Sequence, residues 1–135
     1  PFHYHNETRY AFPTPKKLAS CTPEDLAPLR AGFRAKYLID AAKRIASGEI
    51  DLEAVRKMPL PDAKAKLQTI SGVGPKVADC ALLYGLHRTE CFPMDVWMKR
   101  VMASLFPDGL PAEFTLVAGI AQQYLFHYGR LHKIK

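Results

Sequence analysis

The sequence predicts an all-α protein, and three observations carry that prediction. Apolar residues recur at three- and four-residue spacing in several separate segments. Helix-start signals, often with proline at the first helical position, precede those segments. No stretch alternates apolar and polar residues as a half-buried strand would.

The elements follow in order. Residues 1–20 read as irregular, punctuated by Pro13 and Pro15. Thr22 is an N-cap, with Pro23 at the first helical position and Glu24 and Asp25 in the first turn, so a short helix is expected there, ending before Gly32. Arg34 to Ser47 carries Tyr37, Leu38, Ala41, Ala42 and Ile45 at helical spacing, interleaved with Lys36, Lys43 and Arg44; Gly48 terminates it. Asp51 to Lys57 is a further short helix, stopped by Met58-Pro59-Leu60-Pro61. Asp62 then caps a helix to about Thr69. After the turn Ile70-Ser71-Gly72-Val73-Gly74, Pro75 opens a helix to about Leu86 with Val77, Cys80, Ala81 and Tyr84 on one face. Pro93-Met94-Asp95 starts another, through Val96, Met98, Val101, Met102 and Leu105. Pro107 to Pro111 is a loop, Phe114 to Tyr128 the last long helix, and His127 to Lys135 a basic tail.

The 135 residues suit one domain, and a 48% hydrophobic content supplies a core. The net charge of +6 favours a polyanionic partner, without requiring one. The cysteines, Cys21, Cys80 and Cys91, form no Cys-x-x-Cys and no paired framework, which fits a reducing compartment. Three thiolates cannot complete an all-cysteine iron–sulfur cluster. No apolar run approaches the roughly 20 residues that cross a bilayer, and no signal peptide is recognisable. The chain starts at Pro1 rather than methionine, and the expectation is a fragment or a processed product.

Chemistry concentrates around Gly72-Val73-Gly74-Pro75-Lys76. Two glycines permit positive φ and close approach of another backbone. Amides at a helix start make an anion nest, aided by the macrodipole. A tight helix–helix connector would have the same glycines. The fuller pattern, from Leu67 and Ile70 through Lys76 and Ala78, favours a DNA-backbone grip by Gly72, Val73 and Gly74. A lysine on a basic surface is most often a phosphate or solvent contact. Lys76, however, sits in the first helical turn beside a segment expected to be apolar, and both settings favour a neutral amine able to form a Schiff base. Asp95 is placed to cap a helix, worth about 1 kcal/mol. Its second oxygen could instead stabilise positive charge developing on a sugar.

The segment from Leu67 to Asp95 resembles the helix–hairpin–helix and Gly/Pro–Asp loop of the DNA glycosylase superfamily, with the hairpin over 62–86 and the Pro–Asp loop over 91–96. Within it, Gly72-Val-Gly-Pro-Lys-Val-Ala-Asp-Cys80 and Phe92-Pro-Met-Asp-Val96 are most similar to the 8-oxoguanine DNA glycosylases. The similarity extends upstream through Leu29 to Tyr37 and downstream to Ala118 to Phe126, so it covers nearly the whole chain. It implies a helix–hairpin–helix glycosylase domain, here its C-terminal portion, incomplete at the N-terminus. The implied activity is removal of 8-oxoguanine opposite cytosine, followed by strand nicking through β-elimination.

The same resemblance implies roles by position. Lys76 is the nucleophile that attacks C1′ of the deoxyribose, and Asp95 the catalytic aspartate. Phe126 stacks on the flipped base, Gln122 reads its Watson–Crick edge, and Cys80 lies on the pocket's opposite face. Phe33 is the wedge that enters the base stack, and Arg34 contacts the orphaned cytosine. Taken alone, Phe126 and Cys80 would read as core residues and Phe33 as a helix staple. Base flipping gives them a joint rationale, because C1′ is unreachable inside a duplex. The backbone carbonyls of Gln68, Ile70 and Val73 match a monovalent-cation site; no cofactor is required and no iron–sulfur cluster is implied. The partner implied is double-stranded DNA containing an oxidised guanine, met by a monomer with no membrane association. The compartment would be cytoplasm or nucleoid in a prokaryote and the nucleus in a eukaryote.

Two positions depart from the pattern. Trp97 stands where better-known eukaryotic members have a histidine that contacts phosphate, though an indole N–H still donates. Ile120 replaces a bulky aromatic residue of some members. Two rivals stay open: a non-catalytic helix–hairpin–helix DNA-binding module, and a glycosylase of the same superfamily for another lesion.

Overall fold

The computed structural model describes residues 2–5 and 7–134. The chain divides into two compact units, residues 1–51 with 70–72, and residues 52–69 with 73–135.

The first unit opens with an antiparallel pair, β1 (Phe2–Tyr4) and β2 (Glu7–Arg9), in the register Phe2 opposite Arg9 and Tyr4 opposite Glu7. The reading of residues 1–20 as irregular is therefore corrected. All of β2 is exposed, so no alternation of apolar and polar residues marks it. A helix, α1 (Pro15–Ala19), follows, capped by the Thr14 hydroxyl, which accepts the Lys17 N–H at 3.3 Å. Pro15 is its first residue, not a break.

The helix expected from Thr22 does not form. Thr22 and Asp25 do make the reciprocal capping pair, with the Thr22 N–H donating to Asp25 at 2.8 Å and the Asp25 N–H to the Thr22 hydroxyl at 3.3 Å. Beyond it the chain makes only turns and a 3-10 segment, Ala27–Leu29, with Arg30 left-handed at φ 51°. Pro28 is the reason: it has no N–H to offer the carbonyl of Glu24, and its ring obstructs an α-helical turn.

Helix α2 (Ala35–Ala46) buries Ala35, Ile39 and Ala42, while Leu38 is largely exposed. Leu26, Ala35 and Ile39 form a small core with Leu18, Cys21 and Ala31 against it. Gly48 ends the element at φ +80°, as expected. Asp40 on α2 accepts the backbone N–H of Ser71 at 3.1 Å and the Arg44 side chain at 3.1 Å. The Ser71 amide, ahead of Arg44, holds the Asp40 carboxyl below the usual carboxylate range.

The second unit is helical: α3 (Leu52–Lys57), α4 (Leu60–Gln68), α5 (Pro75–Cys80), α6 (Val96–Leu105) and α7 (Ala118–Leu131). Its largest fully buried side chains are Leu82, Met98, Val55, Val101 and Cys91. Asp62 does not cap α4. The helix begins two residues earlier, with Pro59 as its cap and Pro61 inside the first turn, where no helical N–H partner is needed. Beyond Cys80, α5 continues as a wider π turn, Ala81–Gly85. The buried face of that segment is Ala78, Asp79, Leu82 and Leu83. The stripe Val77, Cys80, Ala81 and Tyr84 therefore faces outward, with Val77 and Tyr84 exposed. Asp79 can be buried because Lys64 of α4 pairs with it at 2.9 Å. A 3-10 turn, Ala112–Val117, leads into α7, and α7 runs on through much of the expected tail. Two glycines of α7 permit close packing: a Cβ on Gly129 would lie 2.4 Å from Val101, and one on Gly119 would lie 2.4 Å from the Cys91 carbonyl oxygen.

Candidate active site

The turn before α5 uses its two glycines differently. Gly72 has φ +79°, and a Cβ there would lie 2.4 Å from the Tyr37 ring. It is glycine for the fold's own sake. Gly74 is extended, with φ −88°, and a Cβ there would meet nothing within 4 Å. The space it leaves is solvent. Among the described residues, no acceptor takes the N–H of Val73 or Gly74, and no N–H donates to the carbonyls of Gln68, Ile70 or Val73. Both sets remain available to a ligand.

Two elements bring Lys76 and Asp95 together. Lys76 is the second residue of α5, directly after Pro75. Asp95 is the N-cap of α6: its Oδ1 accepts the Met98 N–H at 2.8 Å. Its Oδ2 is 3.5 Å from Lys76 Nζ. The carboxylate thus spends one oxygen on the helix and presents the other to the amine. The side chains are 53% and 30% exposed, respectively. The expected apolar surroundings of Lys76 are therefore absent, because the stripe that follows it faces outward instead of folding over the amine.

Cys80 lies one turn beyond Lys76 on the same outward face and is half-buried. Burial above all pushes its thiol up; Lys76 pulls it down, and Asp79 and Asp95 add to the rise. A neutral thiol results, suited to a wall and not to attack. Gln122 of α7 is buried, and its Nε2 donates to the Pro93 carbonyl at 3.2 Å. It thereby grips the loop that carries Asp95. Phe126, one turn along the same helix, is half-buried, with the Arg130 guanidinium 5.9 Å from its ring centroid. Trp97 is half-buried with Arg100 over its ring at 5.9 Å.

Phe33 and Arg34 belong to the first unit, on a 3-10 turn, Gly32–Arg34. The Phe33 ring is 69% exposed, set edge-on to Tyr37 at 6.1 Å and covered by the Arg34 guanidinium at 5.5 Å. An aromatic ring this exposed contributes little to a core.

Two neighbours of the pair escaped the sequence reading. The Tyr84 hydroxyl accepts from Gln123 Nε2, which also donates to Gln122 Oε1. Although most of the Tyr84 side chain is exposed, partial loss of water around its hydroxyl, chiefly, and Cys80 push the phenol up, against Lys76. The signal was there: Tyr84 is one turn past Cys80, on the helix face that also carries Val77 and Ala81. Among the described residues, no group of three or more His, Cys, Asp or Glu could hold a metal ion, and no helix is long and apolar enough to cross a membrane.

A family model described as "HhH-GPD superfamily base excision DNA repair protein" matches residues 4–109. The "Probable N-glycosylase/DNA lyase" of Methanothermobacter thermautotrophicus is 34% identical over an alignment covering 94% of this chain and 50% of that protein. The "N-glycosylase/DNA lyase OGG1" of Arabidopsis thaliana is 31% identical, over 89% of this chain and 35% of that one. The crystal structure of the Clostridium acetobutylicum 8-oxoguanine glycosylase/lyase, in complex with double-stranded DNA containing cytosine opposite 8-oxoguanine, superposes with a TM-score of 0.84. That match is 39% identical and covers 98% of this chain and 49% of that one. The chain spans about half the length, or less, of the relatives it matches.

Proposed function

The chain belongs to the HhH-GPD superfamily of base excision DNA repair proteins, and from that premise we propose that it carries the reacting groups of a DNA N-glycosylase/lyase acting on 8-oxoguanine opposite cytosine. The observation that carries this reading is the Lys76–Asp95 pair at 3.5 Å, with the other Asp95 oxygen fixed by the Met98 amide. An amine beside a held carboxylate suits attack on a sugar carbon that becomes positively charged as its base departs.

In this reaction Lys76 Nζ, once it has lost a proton, forms a bond to C1′ while the bond from C1′ to the base breaks. The base leaves with the bonding electron pair and takes up a proton. Asp95 Oδ2 faces the positive charge on the sugar. Ring opening gives the Schiff base. Loss of a C2′ proton then expels the 3′ phosphate, and hydrolysis frees Lys76. Gln122 reads the edge of the flipped base, with Cys80 and Phe126 on its two faces. Phe33 fills the vacated stack and Arg34 meets the orphaned cytosine. The amides of Gly72, Val73 and Gly74 grip a backbone phosphate, and the Trp97 indole N–H donates to another. The carbonyls of Gln68, Ile70 and Val73 would hold a monovalent cation, whose charge would offset that of a phosphate. The partner is duplex DNA with an oxidised guanine, met by a monomer.

Borohydride trapping on an 8-oxoguanine duplex tests the reading. The expected result is a covalent protein–DNA adduct, lost in Lys76→Gln with DNA affinity kept. Asp95→Asn should slow turnover by about 10²–10³ and leave affinity in place. A folded protein that binds the duplex and yields no adduct overturns the lyase assignment.

A further inference from the structure

Lys76 and Asp95 stand on separate segments, so something must hold those segments in register. Three side chains form a chain of hydrogen bonds between them. Tyr84 lies on the π turn that continues the Lys76 helix, and its hydroxyl accepts from Gln123 Nε2. Gln123 Nε2 also donates to Gln122 Oε1, and Gln122 Nε2 donates to the carbonyl of Pro93, two residues before Asp95.

We propose that Tyr84 and Gln123 are positioning residues, which fix the amide of Gln122 and through it hold the Asp95 loop beside Lys76. The chemistry of an amide supports this. A glutamine side chain can present oxygen or NH₂ at either of two places, and its hydrogen-bond partners decide which. Pro93 offers only an acceptor, so it needs the NH₂. Gln123 supplies the donor that occupies the oxygen at the other end. Tyr84 in turn anchors Gln123, which is exposed and would otherwise have free rotamers. Gln122 is 5% exposed, so a wrongly turned amide would leave the buried Pro93 carbonyl facing oxygen. The network also restricts what Gln122 offers a base: one N–H and one lone pair are already committed, and only the remainder can read the flipped nucleotide.

This inference rests on the glycosylase/lyase reading, and its test separates the two. The substrate is a duplex with a preformed abasic site, which needs Lys76 and Asp95 but no base recognition. Initial borohydride-trapping rates at saturating DNA are compared for the chain, Tyr84→Phe and Gln123→Ala. Hydrogen exchange of the Gln122 side-chain amide is followed by NMR in the same three proteins. Both variants should trap roughly tenfold more slowly, with unchanged DNA Kd and melting temperature, because a displaced group slows reaction without loosening binding. In both, the Gln122 amide should exchange faster. Trapping within twofold of the parent overturns the proposal, as does unchanged Gln122 exchange. If the parent chain itself traps nothing, the lyase reading fails, and the exchange data alone decide whether the chain of hydrogen bonds exists.

Discussion

At the scale of single residues, the two hairpin glycines look interchangeable in the sequence and are opposite in the structure. Gly72 is left-handed and presses on the Tyr37 ring, whereas Gly74 is extended and faces open space. Gly72→Ala should cost about 2–4 kcal/mol: about 1 for a left-handed alanine and 1–3 for overpacking. Gly74→Ala should stay within about 0.5 kcal/mol of the parent in urea unfolding. Its DNA affinity should nonetheless fall by about 1.5 kcal/mol, because the methyl group would block one charge-assisted amide–phosphate contact. A Gly74→Ala protein that binds as tightly as the parent would remove that turn from the DNA interface. Lys76 and Asp95 were legible because each is coded locally, one by its place after Pro75 and the other as a cap. The Tyr84–Gln123 contact was not, since it joins residues on different elements and depends on the rotamers of both.

Among the elements, the helices of the second unit were legible and the ends of the first were not. Thr14-Pro15 and Thr22-Pro23 carry the same start signal, yet only the former opens an α-helix. What decides is downstream, where Pro28 interrupts the ladder. The segment after Lys76 offers two apolar stripes, and period alone cannot say which is buried. Asp79 made the true buried stripe look polar, because its partner Lys64 lies on another helix. Packing between α7 and its neighbours gives an element-scale prediction. Alanine ordinarily improves on glycine in a helix by up to about 1 kcal/mol. At Gly119 a Cβ would sit 2.4 Å from the Cys91 carbonyl oxygen and 2.5 Å from a Leu83 methyl. The carbonyl cannot yield without dragging its loop, so overpacking wins and Gly119→Ala should lose about 1–2 kcal/mol in thermal unfolding.

Over the whole molecule, the sequence was informative about class and family because four separated segments, Leu29–Tyr37, Gly72–Cys80, Phe92–Val96 and Ala118–Phe126, occur in order, while the two-stranded start was invisible to composition. A molecule-wide property that can be tested is acid sensitivity. Asp40 has its carboxyl lowered by the Ser71 amide first and Arg44 after it; Asp25 is lowered by the Thr22 amide and hydroxyl. For such groups the folded value lies below the unfolded value of about 3.9. Their stabilisation is complete above the unfolded value and is lost as pH falls through the folded one. Urea midpoints should therefore be flat near neutrality and drop below about pH 4. In Asp40→Asn the midpoint should be lower at neutral pH, and the further fall on acidification should be smaller. Parallel parent and variant curves across that range would show that Asp40 contributes nothing to acid sensitivity.

The divided duty of Asp95 has a consequence for living cells. One oxygen holds the start of α6 while the other faces Lys76. Most substitutions there remove both functions together, so the protein would be cleared by quality control as well as silenced. In a survey scoring abundance and repair separately, Asp95 would pass for a folding position. Asparagine and serine keep an acceptor for the Met98 amide but lack the charge, so under the proposed glycosylase/lyase reading they would leave abundant, inert protein able to occupy damaged DNA and shield it from other repair.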